Sequence, residues 1–329
     1  MDITSLLMPL FAVLMFFAVI VLHEFGHLIC GILTGYRFNR FQIGWFVWHK
    51  EDNKIKFKAT KALAIFSAGQ CAMIPPKDYK DFKMFWYYFG GVFFNLLAIL
   101  AAVFIIIFTD LNELGSSIVN ITITINLIFV VMNLFPKGNT DGEMLYMAIK
   151  SDDNKRAIHT ILSMDSELAK GMRLRDFPPD KFAVREGAKL DNSYVASMVL
   201  LESERLNDIG ESALALAEVE RVRAAMLPQS CKLIKVAADI SALTHYSEKS
   251  PDLEKAKSIY SDSAVQAFLA HPLPSCYLVL AIYNFFVLDD KEAAKQFLEK
   301  LKATNENEIN LGLRLMHSEE IERLEALMK

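Results

Sequence analysis

His23 and His27 stand four residues apart, with Glu24 directly after the first, in the run His23-Glu-Phe-Gly-His27. On a helix, positions i and i+4 share a face, so both imidazoles can reach one metal ion. Glu24 lies one residue round, close enough to take a proton from a water on that ion. Two His at this spacing with a Glu between them is the pattern by which a helix holds catalytic zinc. Gly26 leaves room for a neighbouring backbone to approach. The setting sharpens the signal. Ile3 to Leu22, just before the motif, carry no charge. An ionisable side chain at membrane depth costs about 2.5–3.5 kcal/mol on insertion scales, so one found there usually serves a function. The blander reading is that the three residues satisfy one another or sit among lipid headgroups.

Catalytic zinc takes three protein ligands and keeps a fourth position for water. Asp141 is the best candidate for the third, in Asn133-Leu-Phe-Pro136-Lys-Gly138-Asn-Thr-Asp141-Gly142. Pro136 ends or kinks a helix, and Gly138 and Gly142 let the chain turn so that Asp141 points inward. Taken alone, Asp141 reads first as a helix N-cap or turn residue; Glu143 is the nearest rival ligand. A third polar constellation is Gly90-Gly91-Val-Phe-Phe-Asn95. Its small residues allow close helix packing. Asn95, four residues after Gly91, shares its face and can donate into a site, or merely bridge helices. Asn126 and Asn133, seven apart on one helix face, pose the same choice.

Three apolar stretches must carry these groups: about 3–35, 84–109 and 114–135. About 20 apolar residues cross a bilayer core. The first is read as a retained span, because no basic segment precedes it and no small-residue cleavage site follows. Ten Lys and Arg lie between Arg37 and Lys83, and none lies in Asp110-Leu-Asn-Glu113. The positive-inside rule then puts the N-terminus outside and the basic segment and C-terminal half in the cytosol. The first and third spans run in the same direction, so His23, His27 and Asp141 fall at matching depth.

Taken together, the motifs resemble the site-2 protease family of zinc-dependent intramembrane metalloproteases. That family shows HExxH in its first core helix, a G-P-x-x-N-like element in its second, and N-L-x-P-x-x-x-x-D-G at its third. Here they stand as HEFGH at 23–27, GVFFN at 91–95 and NLFPKGNTDG at 133–142. Val92 replaces the frequent Pro, and Glu143 replaces a frequent second Gly. The resemblance covers about residues 1–150. It implies His23, His27 and Asp141 as ligands of one Zn2+ per chain and Glu24 as catalytic base. Its implied activity is regulated intramembrane proteolysis of single-span proteins or signal-peptide-like substrates. Asn95 and Asn133 are candidates for orienting the substrate backbone or the oxyanion.

Between the first two spans, Phe41–His49 and Lys54–Lys58 alternate as strands do, and Glu51-Asp52-Asn53 suits the turn between them. Ala62–Ile74 is apolar, too short to span, and fits a re-entrant or interfacial strand. The region about 41–76 resembles the membrane-associated β element that holds an unwound substrate as an added strand in that family; a lid or packing element is the alternative.

Residues 151–329 read as helices throughout. Asp252-Leu-Glu-Lys-Ala-Lys and Asp290-Lys-Glu-Ala-Ala-Lys, 38 residues apart, hint at a tetratricopeptide-like repeat. Such a domain would dock a protein partner or form a homodimer. The expected fold is thus an α-helical multi-pass membrane protein. It has a three-helix metalloprotease core at 1–150 with a short β element, followed by an all-α soluble domain at 151–329, in a prokaryotic plasma membrane. Residues 1–149 carry 11 Lys/Arg and 10 Asp/Glu, against 24 and 29 in the rest. The net charge of −4 offers no footprint for nucleic acid. Cys30, Cys71, Cys231 and Cys276 form no CxxC pair, so neither a disulfide framework nor a Cys-rich zinc site is expected. Two other classes remain: a non-proteolytic scaffold or sensor acting through the helical domain, and a metal transporter. Three spans with no second buried acidic site weigh against the transporter.

Overall fold

The computed structural model describes residues 3–51, 54–59, 69–137, 140–184, 188–190, 193–228, 231–308 and 310–329. Among the described residues, three helices are each long and apolar enough to cross a membrane. They are α1 (Ile3–Leu33), α2 (Met84–Phe108) and α3 (Glu113–Leu134). Each forms because a long, mainly apolar run can satisfy its backbone polar groups internally, as a lipid setting requires. Gly35, at φ +90°, ends α1 in a conformation that side chains resist, and the Tyr36 N–H closes back on the Gly31 carbonyl at 2.9 Å. Asn112 caps α3 by accepting from the Gly115 N–H at 2.8 Å.

Helices α1 and α2 cross in backbone contact. A Cβ placed on Gly26 would fall 2.3 Å from the Gly90 carbonyl oxygen, and one on Gly90 would fall 2.5 Å from that of Gly26. The close approach expected of these small residues therefore occurs at the level of the His pair, because Gly26 lies between His23 and His27.

Strands β1 (Arg37–Ile43), β2 (Phe46–Glu51), β3 (Lys54–Ala59) and β4 (Gly69–Ile74) form one antiparallel sheet in the order β3-β2-β1-β4. The run 41–49, read from sequence as a single strand, reverses within itself. Gly44, at φ +53°, opens a two-residue hairpin loop that pairs Ile43 with Phe46, a position at which glycine is favoured. The second turn, at Asp52-Asn53, and the first part of the re-entrant stretch, residues 62–68, lie outside the described residues. The second part of that stretch forms β4, a strand as expected, at one edge of the sheet.

After α3, helices α4 (Asp141–Lys150) and α5 (Asp152–Leu168) come in quick succession. Asn154 Nδ2 braces their elbow by donating to the Met147 carbonyl at 3.1 Å. The first of two compact units runs to Ser163, past the boundary read near residue 150. The reason is that α5 returns to the segment leading into α2. His159 Nε2 lies 2.8 Å from the Pro76 carbonyl oxygen, its ring packs on Phe82 at 4.9 Å, and the Tyr79 hydroxyl donates to Asp152.

The second unit, Met164–Lys329, is helical. Its elements are α6 (Ser193–Asp208), α7 (Ser212–Ala224), α8 (Lys232–Thr244), α9 (Leu253–Tyr260), α10 (Ser263–Leu269), α11 (Pro274–Phe286), α12 (Lys291–Asn305) and α13 (Leu311–Met328). Helix α11 feeds two cores. Val279, Leu280 and Tyr283 pack with Leu243, Ala256 and Val265, while Ala281 and Ile282 pack with Leu298, Leu301 and Leu324. The paired motifs at 252 and 290 have a local cause. Asp252 and Asp290 are both N-caps, accepting from the Lys255 and Ala293 N–H groups at 3.1 and 2.9 Å. The helices they start are eight and fifteen residues long.

Candidate metal centre

The two histidines of α1 are oriented by their Nδ1 atoms. His27 Nδ1 lies 2.8 Å from the Tyr87 backbone oxygen on α2. A carbonyl only accepts, so Nδ1 carries the proton and a neutral ring has a bare Nε2. His23 Nδ1 lies 2.7 Å from Asn95 Oδ1, also on α2, with the same outcome. Both imidazoles are buried, at 5% and 6% exposure. They meet Asp141 of α4, whose Oδ2 is 3.0 Å from His23 Nε2 and 3.2 Å from His27 Nε2; the two Nε2 atoms are 3.2 Å apart.

That triangle needs a cation or a proton at its centre, because three lone-pair donors otherwise face one another in a buried site. Its size suits zinc. A tetrahedral ion with bonds of about 2.0–2.1 Å spaces its ligands about 3.3–3.4 Å apart, close to all three sides. Space is left for the ion as well. A Cβ on Gly91 would fall 2.6 Å from His23 Nε2 and 2.6 Å from His27 Nε2, so α2 presents bare backbone where the donors converge. Among the described residues, His23, His27 and Asp141 are the one group of His, Cys, Asp or Glu with such convergence. Glu143, the rival ligand, is buried but stands outside it.

Local structure explains how Asp141 comes to face inward. Thr140 takes the N-cap role, accepting from the Glu143 N–H at 3.3 Å, and this leaves the Asp141 carboxylate free. Gly142 packs directly on the end of α3; a Cβ there would fall 2.3 Å from the Leu134 carbonyl oxygen. Gly138, the other turn residue singled out in the sequence, lies outside the described residues.

Glu24 faces β4. A Cβ on Gly69 would meet its Cγ at 2.7 Å and its Oε1 at 2.9 Å, and the Cys71 N–H faces the carboxylate. The Tyr87 hydroxyl donates to the Cys71 carbonyl at 2.6 Å. The outer edge of β4 thus runs beside the Glu24 carboxylate.

Residues 11–114 match the model of peptidase family M50. This is the site-2 protease family, whose likeness the three motifs carry. The M50 match spans about a third of the 329 residues and takes in His23, Glu24, His27 and Asn95. Asp141 lies beyond it and is placed by the fold alone. M50 proteins are membrane metallopeptidases, and the three apolar helices fit that class. No curated protein and no solved structure matches the chain.

Asn95 and Asn133 stand differently from each other. Asn95 is fully buried, and both of its amide functions are engaged: Oδ1 with His23, and Nδ2 donating to Asn126 Oδ1 at 2.9 Å. It meets the site as an acceptor rather than as a donor. The Asn133 Nδ2 turns back to its own helix, donating to the Phe129 carbonyl at 3.0 Å. Sequence reading passed over Tyr87. Its part in holding His27 belongs to its backbone carbonyl, which any residue supplies, so no residue type marks it.

Proposed function

We propose that this protein is a zinc metallopeptidase that cuts peptide bonds in or beside the transmembrane segments of membrane-bound substrates. The observation that carries the reading is the convergence of His23 Nε2, His27 Nε2 and Asp141 Oδ2, with Glu24 next in sequence to the first. A zinc ion held by these three would supply Lewis-acid chemistry, acidifying water from a pKa of 15.7 toward about 7 and polarising a carbonyl. The protein's own residues do the rest. The Glu24 carboxylate takes one proton from water, the oxygen so freed attacks the scissile carbonyl carbon, and the proton passes to the amide nitrogen as the C–N bond breaks. The Nδ1 bonds to Asn95 and Tyr87 keep both imidazoles turned so that Nε2 faces Asp141.

A transmembrane helix hides its peptide bonds, so it must unwind to be cut. The edge of β4 beside Glu24, apart from the Cys71 N–H and carbonyl that Glu24 and Tyr87 engage, supports pairing with the unwound segment by strand addition. Suitable substrates are single-span proteins or signal-peptide-like segments, cut in regulated intramembrane proteolysis. Residues 151–329 are proposed to dock a protein partner or a second copy. The lysine distribution supports an N-terminus outside and a cytosolic helical domain. A cysteine at position 54 is then expected to react with an impermeant thiol reagent only after permeabilisation, and labelling of intact cells reverses the orientation.

Zinc content decides the reading. Protein purified in detergent is expected to hold one zinc per chain, and Asp141→Ala to lose it and its cleavage together. Wild-type protein without zinc affinity, or an Asp141→Ala variant with unchanged affinity, overturns the assignment.

A further inference from the structure

The hydrogen bond that orients His23 does not end at Asn95. Asn95 Nδ2 donates to Asn126 Oδ1 on α3 at 2.9 Å, and Asn126 Nδ2 donates to the Thr122 backbone carbonyl, one turn back on the same helix, at 2.9 Å. Asn95 and Asn126 are 0% and 1% exposed, so water does not compete for their groups.

The direction of this chain is set by its last member. A backbone carbonyl has no proton to give, so Asn126 must turn its NH2 toward Thr122 and its oxygen toward Asn95. Asn95 must then answer with its own NH2, which leaves Asn95 Oδ1 for His23. An oxygen facing His23 Nδ1 at 2.7 Å requires the proton on Nδ1 and hence a bare Nε2. An amide reversed at either step would set NH2 against NH2, or present NH2 to His23. Presented to His23, that NH2 would draw the proton to Nε2 and destroy a ligand.

We infer that Asn126, through Asn95, is a positioning residue that fixes the tautomer of His23 and thereby the metal affinity of the site. This deepens the proposed zinc peptidase and rests on that reading. The alternative is that two asparagines merely join α2 to α3. Interhelical hydrogen bonds of that kind are common between membrane helices, and the two roles differ in what their loss changes. A helix tie affects unfolding, whereas a tautomer lock affects ligation. Outer-shell partners of metal-binding His are worth about 10–100-fold in affinity.

The test uses full-length protein in detergent and the metal alone. Zinc affinity is measured by competition with a chromophoric chelator, the cobalt(II) derivative by its visible absorption, and the metal-free protein by its melting temperature. Asn126→Leu keeps the volume but removes the acceptor that orients Asn95; zinc affinity is expected to fall about 10–100-fold, and the cobalt bands to weaken at matched metal concentration. Asn126→Asp retains an oxygen for Asn95 Nδ2 and is expected to recover affinity to within about threefold of wild type, even where its melting temperature drops. Loss of melting temperature in Asn126→Leu with unchanged zinc affinity and cobalt spectrum overturns the inference. So does an Asn126→Asp variant that binds as poorly as Asn126→Leu. A wild-type protein that binds no zinc refutes the metallopeptidase reading itself, an outcome separate from either of these.

Discussion

Glu24→Gln is expected to abolish cleavage while the protein keeps its zinc. Glutamine preserves the size of the side chain and its fit against Gly69, so packing between α1 and β4 survives. The proposed ligand set is His23, His27 and Asp141, none of which changes. The variant loses the carboxylate that, in the proposed mechanism, takes the proton from water and returns it to the leaving amine. A positioned acid–base group contributes about 10²–10⁴-fold, and loss on this scale removes detectable turnover. Comparative proteomics of membranes from wild-type and Glu24→Gln cells is the direct measurement, with uncut single-span precursors accumulating in the variant. Undiminished cleavage in Glu24→Gln would sink the peptidase assignment. A cellular effect of the protein that persists in Glu24→Gln points instead to a scaffold or sensor working through its helical domain.

The second large effect lies in a residue with no side chain. Gly91→Ala would set a methyl 2.6 Å from His23 Nε2 and His27 Nε2, on the side where their lone pairs converge. Neither ring can swing away freely, because each is held through Nδ1 by α2 itself. The methyl therefore competes with the ion. Zinc affinity is expected to fall by more than about 100-fold, beyond the usual effect of disturbing an outer-shell partner. Overpacking of this kind costs the metal-free fold about 1–3 kcal/mol, so folded protein should still be recovered and assayed by chelator competition. Wild-type affinity in Gly91→Ala would mean that the ion does not sit where the three donors meet.

Much of the membrane half was legible because its signals are local. The three apolar runs and the i, i+4 spacing of His23 and His27 need no tertiary information, and the turn after Pro136 pointed to Asp141. The convergence of Asp141 with the histidines could be argued only from matching depth; its realisation depends on Thr140 taking the cap and Gly142 lying on α3. The reversal at Gly44 was missed because alternation on both sides of a two-residue loop looks like one continuous strand. Asn95 was seen as a possible donor, yet its direction is set 31 residues away by Asn126. The tie from His27 to Tyr87 uses a main-chain oxygen and leaves no mark in residue type. In the C-terminal half, the twin Asp motifs signalled how two helices begin rather than how long they run.

If the protein cuts polypeptides as proposed, the contact between Gly26 and Gly90 also limits the path that a substrate can take. With two main chains touching at the level of the imidazoles, no polypeptide passes between α1 and α2 there, however the lipid-facing ends of those helices breathe. Helix α3 also lies against α1, with Phe129 6.2 Å from the His23 ring, and β4 lines a further side, where Gly69 abuts the Glu24 carboxylate. On the proposed peptidase reading, a segment that has given up its helix would reach Glu24 along the sheet rather than through the α1–α2 seam, so a pair of glycines that carry no chemistry would still set the route to the site.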